Sequence, residues 1–306
     1  LNNRRDAFLH VMMQTVKFLD FDCVSLENSF LRLLITQSAG PRVISLQFKG
    51  GKNLFAELPD FVTERPDGTL FHFYGGHRLW HAPENMPRTY IPDNEAVTVV
   101  PAREGLLVTQ PVEVQTGIEK AIQISLVDEK PQVIVRHTLT NRGPWPVECA
   151  PWAITQFRTG GVAILPQSRE QTEVLPNRSL SLWPYTDISN PHVTWGNQYI
   201  LVHADMQQPF KVGFPNPRGW LAYWLDGVLF VKRAPFDPKS AYYDLGSSSE
   251  CYCNQRFLEL ETLAPIGTLA PDESVTHTET WELYGGIDLP QNEDGAQALA
   301  EQLGLE

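Results

Sequence analysis

The sequence is short of several things, and each shortage removes a class of protein. Four cysteines (Cys23, Cys149, Cys251 and Cys253) in 306 residues are too few for a disulfide scaffold. Cys251 and Cys253 stand one residue apart, where a strand gives no geometry for a disulfide. No second Cys-x-x-Cys half completes a zinc site. Four free thiols fit a reducing compartment, so a cytoplasmic location is expected. Positive charge is also scarce: 24 Lys and Arg face 36 Asp and Glu, a formal net charge of −12. That balance argues against nucleic acid and against anionic membrane as partners. No apolar run reaches the ~20 residues of a membrane helix, and residues 1–20 lack a signal-peptide core. No GxSxG, HExxH, P-loop or GxGxxG stands in a fitting context. Without a nucleophile motif, acid–base chemistry or plain binding is left.

What the chain does have is a period of two. Val133, Val135, His137 and Leu139 share one face of a strand, and Ile134, Arg136 and Thr138 take the other. Asp128-Glu129-Lys130 turns into that strand, and Asn141-Arg142-Gly143-Pro144 closes it. Similar runs recur from Ser29 to Tyr284, punctuated by 24 prolines and 21 glycines. Nothing alternates β with α, which disfavours Rossmann and barrel folds. The reading is an all-β sandwich forming one domain over residues 1–306, with an N-terminal extension over 1–20. Leu9, Met12, Met13 and Val16 could mark a short helix there. A C-terminal helix is expected over 290–306, with Asn292 as its N-cap.

Three stretches carry possible chemistry. Gly75-Gly76-His77-Arg78-Leu79-Trp80-His81-Ala82-Pro83-Glu84 crowds two imidazoles, a guanidinium, an indole and a carboxylate together. Its flanking Gly-Gly and Pro predict a loop rather than a helix. His72, His77 and His81 match no zinc spacing, so neither a metal nor another cofactor is expected. Glu259 and Glu261, two apart in a strand, point to one face, outward or into a cleft. Trp152 and Gln156 share a face of a third strand. Together these suit a sugar: an aromatic face stacks on its C–H side while charged groups grip hydroxyls or move protons. Each also has a plain structural explanation, Trp152 and Trp80 as core, Arg78 as half of an ion pair, the glutamates as a solvated strand face.

Residues 28–54, with Gly40-Pro41-Arg42-Val43-Ile44, together with Thr138-Leu139-Thr140-Asn141-Arg142-Gly143 and Leu260-Glu261-Thr262 followed by Pro271-Asp272-Glu273, resemble the galactose mutarotase-like superfamily, which includes aldose 1-epimerases. The resemblance implies a β-supersandwich with its site on one sheet. It implies Glu261 as the general base that takes the anomeric proton, and Gly-Gly-His77-Arg78 as the first site histidine and arginine. The family's acid histidine falls where this chain reads Ala153-Ile154-Thr155-Gln156-Phe157, without a histidine. His77 or His81 is therefore the expected acid. Arg78, Trp80, Glu84, Trp152, Gln156 and Glu259 are the expected substrate ligands. The expected partner is a small sugar or sugar derivative, handled by an epimerase. The alternatives are a non-catalytic sugar-binding protein on the same scaffold, where Gln156 and Arg78 would hold hydroxyls, and more remotely a carbohydrate lyase. Oligomeric state is not legible in the sequence.

Overall fold

In the strands Ile118–Leu126 and Gln132–Asn141 nearly every second residue is buried, and the two pair antiparallel from Val133–Leu126 to Asn141–Ile118. The same alternation builds the rest of the chain. The computed structural model describes residues 14–102 and 105–306. Two antiparallel sheets result.

The first sheet runs, in spatial order, through Gln14–Phe18, Phe21–Glu27, Leu31–Thr36, Arg42–Phe48, Leu70–Ala82, Val147–Phe157, Leu258–Leu263, Ser249–Cys253, Phe210–Phe214 and Ser181–Leu182. Glu57–Glu64 and Gly267–Leu269 add to it at the sides. The second runs through Val193–Trp195, Tyr199–His203, Val162–Pro166, Trp220–Leu225, Val228–Arg233, Ser274–Gly285, Gln132–Asn141, Ile118–Leu126, Gly105–Thr109 and Thr98–Ala102. Their facing sides bury one continuous apolar core, from Val24, Leu33 and Leu46 to Val212, Leu260, Trp281 and Leu283. This is a β-sandwich, held mainly by removing that apolar surface from water.

The outer faces differ. That of the second sheet is covered by the C-terminal helix Glu293–Gln302, whose Ala296, Leu299 and Ala300 pack on Ile164, Tyr199, Leu201 and Trp220. Asn292 caps this helix as its sequence position suggests, accepting from the Gly295 amide at 2.9 Å. The outer face of the first sheet carries a cavity instead. The N-terminal helix expected from Leu9, Met12 and Met13 lies outside the described residues, and Val16 belongs to the strand Gln14–Phe18.

Candidate active site

The stretch expected as a loop is the end of a 13-residue strand, Leu70–Ala82. Its glycines do not break the strand; they bend it. Tyr74, Gly75 and Gly76 take φ values of 56°, 90° and 76° in succession. A Cβ on Gly75 would lie 1.8 Å from the Ala56 carbonyl oxygen, so only glycine fits that approach. The bulge shifts the alternation. Phe73 before it and Arg78 and Trp80 after it reach the cavity on the outer face, while His77 turns toward the second sheet.

Cross-strand register then builds the floor in rows. One row is Gly76, Gln156, Glu259, Tyr252 and Lys211. The next is Arg78, Ile154, Glu261, Glu250 and Gly213. A third begins with Trp80, Trp152 and Leu263. Neighbouring strands lie about 4.8 Å apart, so each row is a line of near contacts. The side chains reach diagonally between rows. Arg78 Nη2 donates to Glu259 Oε1 at 3.3 Å, and Gln156 Nε2 donates to the same oxygen at 2.9 Å. Lys211 Nζ lies 3.0 Å from Glu261 Oε2 and 2.7 Å from Glu250 Oε2. Trp152 Nε1 also donates to Glu261 Oε2, at 2.7 Å.

Aromatic rings hold both cations in place. The Arg78 guanidinium lies 4.3 Å from the Trp80 ring and 5.2 Å from Phe73. The Lys211 ammonium sits 4.7 Å from Trp152 and 4.6 Å from Trp183. Gly213 makes room here, since a Cβ on it would come within 3.2 Å of the Trp183 ring. Above this floor opens a cavity of about 410 Å³, walled by Phe61, Phe73, Tyr90, Tyr185, Tyr252 and Phe257. That volume falls in the range of small-molecule sites.

Glu259 is the buried carboxyl that lines the cavity. Burial, and then the neighbouring Glu261, push its pKa up to about 7, while Arg78, Lys211 and Gln156 hold it from rising further. Glu250 is fully buried and pushed well upward by the same loss of water. Several polar atoms of the floor have no partner within the protein: Arg78 Nε and Nη1, Gln156 Oε1 and Glu261 Oε1. Such atoms are costly to leave bare, and a polyhydroxylated ligand could satisfy those it reaches.

The structure brings Arg78, Trp80, Glu84, Trp152 and Glu259 to the cavity wall, with Gln156 hydrogen-bonded behind Glu259. Glu84 stands at the exposed rim and accepts the Tyr90 hydroxyl at 2.5 Å. Glu261 has no exposed surface and lies under the floor, held by Trp152 and Lys211; it faces neither solvent nor the open cleft.

The two histidines lie elsewhere. His77 is wholly buried between the sheets, its Nδ1 2.8 Å from Thr155 Oγ1 and its Nε2 2.7 Å from His137 Nε2. His137 Nδ1 faces the His277 carbonyl at 3.0 Å and must carry the proton there. Its Nε2 is then an acceptor, so His77 donates from Nε2 and accepts the Thr155 hydroxyl at Nδ1. Burial lowers the pKa of His77, His137 and His277 alike. His77, His137 and Glu279 do place three ligand atoms within 4.8 Å of one another. The imidazole lone pairs are spent on these hydrogen bonds, and Glu279 takes Lys232, Thr262 and Trp281. His81 is likewise buried, between Glu113 at 3.3 Å and Arg88 at 3.1 Å. His72 stacks on Tyr74.

Sequence reasoning missed Lys211, Glu250, Tyr252 and the aromatic wall. A signal for the first was present. Lys211 is the one charged residue of Phe210–Phe214, a strand buried throughout, and a lone charge there demands partners.

Comparison with solved structures decides the fold. The chain has the galactose mutarotase-like fold. A galactose mutarotase-like protein from Lactobacillus casei matches over 86% of this chain and 100% of its own, at 11% identity and a TM-score of 0.56. A candidate aldose 1-epimerase from Klebsiella pneumoniae matches over 95% of this chain and 86% of its own, at 10% identity and a TM-score of 0.59. A TPR-domain containing protein from Parabacteroides distasonis is 17% identical over 89% of this chain, with a TM-score of 0.62. The present chain spans 49% of that protein's length. No protein-family model and no curated protein matches the sequence.

Proposed function

We propose that this mutarotase-like chain is an aldose 1-epimerase-like enzyme that binds a small sugar in the aromatic cavity and interconverts its anomers. The observation that carries the proposal is Glu259: a buried carboxyl on the cavity floor whose pKa stands near 7, the value suited to a base at neutral pH. Glu259, rather than Glu261, is the assigned base, because Glu261 is closed off beneath Trp152 and Lys211. Phe61, Tyr185 and Tyr252 on the cavity wall offer ring surface to the C–H side of a sugar, while Trp80 and Trp152 seat the Arg78 and Lys211 cations beneath. Arg78, which lines the cavity and has two unpartnered nitrogens, is the assigned hydroxyl ligand, and Gln156 orients the Glu259 carboxyl from behind. The four cysteines are buried and unpaired, which supports a reducing compartment.

In the forward step the Glu259 carboxylate removes the anomeric hydroxyl proton. The C1–ring oxygen bond breaks, C1 turns, and closure from the other face returns the opposite anomer. Exchange between anomers of common aldoses, followed by NMR against the spontaneous rate, tests the reading. Acceleration by wild type with at least one aldose is the expected result. One observation favours a second reading, a non-catalytic sugar-binding protein: among the described residues no imidazole lines the cavity. Saturation-transfer NMR showing binding without any acceleration would select it.

A further inference from the structure

Ring opening needs two groups, since a base on the anomeric hydroxyl leaves negative charge on the ring oxygen. We propose that Lys211 is the second group, an ammonium that meets the ring oxygen and hands it a proton. This assignment rests on the reading of Glu259 as the base.

The argument is geometric. Lys211 and Glu259 lie in the same cross-strand row, separated only by Tyr252, so their Cα atoms are roughly 10 Å apart. Both line the cavity. The two oxygens of the reaction share one carbon, so an acid and a base reaching in from opposite sides can serve both. An ammonium has three N–H donors. In Lys211 one donates to Glu261 Oε2 at 3.0 Å, Glu250 Oε2 lies 2.7 Å away as an ion-pair partner, and at least one N–H has no acceptor among the described residues. Burying this charge costs several kcal/mol unless it is well paired. Two carboxyls and two indole faces supply the pairing and fix the Nζ in position.

The protons balance. Glu259 gains one from the anomeric hydroxyl as Lys211 gives one to the ring oxygen, and C1 becomes an aldehyde. After C1 turns, the former ring hydroxyl attacks it and returns its proton to Lys211. Glu259 returns its own to the carbonyl oxygen. Neither a cofactor nor a co-reactant is consumed. An ammonium is a weaker acid than an imidazolium, yet the ring oxygen gains alkoxide character as its bond to C1 breaks and becomes a stronger base than an ordinary amine.

Five ionisable side chains face Lys211: Glu250, Tyr252, Glu259, Glu261 and Tyr185. The carboxyls hold Lys211 well above the ordinary lysine value. Burial pushes both tyrosines upward, Tyr252 to about 12. A rate limited by Glu259 and Lys211 therefore rises through neutral pH and stays level to pH 9. An imidazole acid would make it fall again on the alkaline side.

The test compares Lys211→Arg, Lys211→Met and Tyr252→Phe in anomer exchange from pH 6 to 9, with thermal melting as the check on folding. Arginine keeps the charge and the pairs but does not release a proton. Lys211→Arg is expected to melt cooperatively and to lose 10²-fold or more in kcat, with KM changed less than about threefold. The plateau should fall at every pH. A merely structural role, setting the charge on Glu259, would instead move the midpoint and restore the rate at high pH. Lys211→Arg or a folded Lys211→Met at about the wild-type rate overturns the assignment, as does loss of rate in Tyr252→Phe alone. No acceleration by wild type removes the Glu259 reading itself, and Lys211 with it.

Discussion

Three strands, Leu70–Ala82, Val147–Phe157 and Leu258–Leu263, contribute to buried polar clusters on both faces of the first sheet, and the two clusters end differently. On the inner face, His77, Thr155, His137, His277, Thr262, Glu279 and Lys232 close a network in which each imidazole, hydroxyl and charge finds a partner. On the outer face, Arg78, Gln156, Glu259, Glu261, Glu250 and Lys211 form a network left open, with unpartnered atoms beneath a cavity. Buried polar groups are normally satisfied, so an unsatisfied set beside an opening marks a place where something binds. The comparison also shows that residue type is a poor guide to site membership. The histidines went to the closed side, and a lysine and three glutamates to the open one.

The sharpest way to break this comparison is Glu259→Gln. The amide keeps the shape and the acceptor oxygen for Arg78, while losing the base. Anomer exchange is expected to fall by about 10²–10⁴, with sugar affinity little changed. Glu279→Gln tests the closed side. It leaves the Lys232 ammonium in the dry interior without its carboxylate at 3.0 Å. Stability should drop by ~3–5 kcal/mol in chemical denaturation, while the rate per folded molecule stays within a factor of about two. A Glu279→Gln protein that keeps its stability but loses its rate would put the chemistry on the wrong face.

A smaller effect concerns pH and stability. The pKa of Glu259 is raised to about 7 from 4.5, so the folded chain holds a proton that the unfolded chain has already released. The unfolded state thus binds fewer protons in that window, and this group lowers stability as pH rises from about 4.5 to 7. Glu259→Gln removes that slope. Relative to wild type it should gain roughly 1–3 kcal/mol between pH 4.5 and 7, read as the difference between two denaturation series. An identical pH slope in both proteins would mean that Glu259 is an ordinary solvated carboxylate.

The fold was largely legible, because a period of two repeated over strands such as Gln132–Asn141 leaves few architectures open. Within the site, Arg78 and Trp80 stood out by residue type, but the segment that carries them was taken for a loop. Gly75-Gly76 reads as a break, whereas three successive positive-φ residues can bend a strand that continues. The carboxylate pair at 259 and 261 was visible as a pair. Which member faces the cavity was not, because that depends on Trp152 and Lys211 arriving from other strands. Lys211 and Glu250 are far apart in the chain and meet only through register.

The smallest expected effect sharpens the comparison within the cavity itself, between its floor and its rim. Glu84 lines the same cavity as Glu259 but is exposed to water, and its one side-chain hydrogen bond among the described residues is from the Tyr90 hydroxyl. A carboxylate in water keeps its charge without help, and its contacts are screened. Glu84→Gln preserves an acceptor for Tyr90 and removes only that screened charge. Affinity for a bound sugar should therefore change by less than about 1 kcal/mol, a factor of about five, and kcat should stay within twofold. A loss of 10²-fold in kcat would mean that the rim carboxyl, not the buried one, moves the proton. Burial would then have been the wrong criterion for choosing between the two.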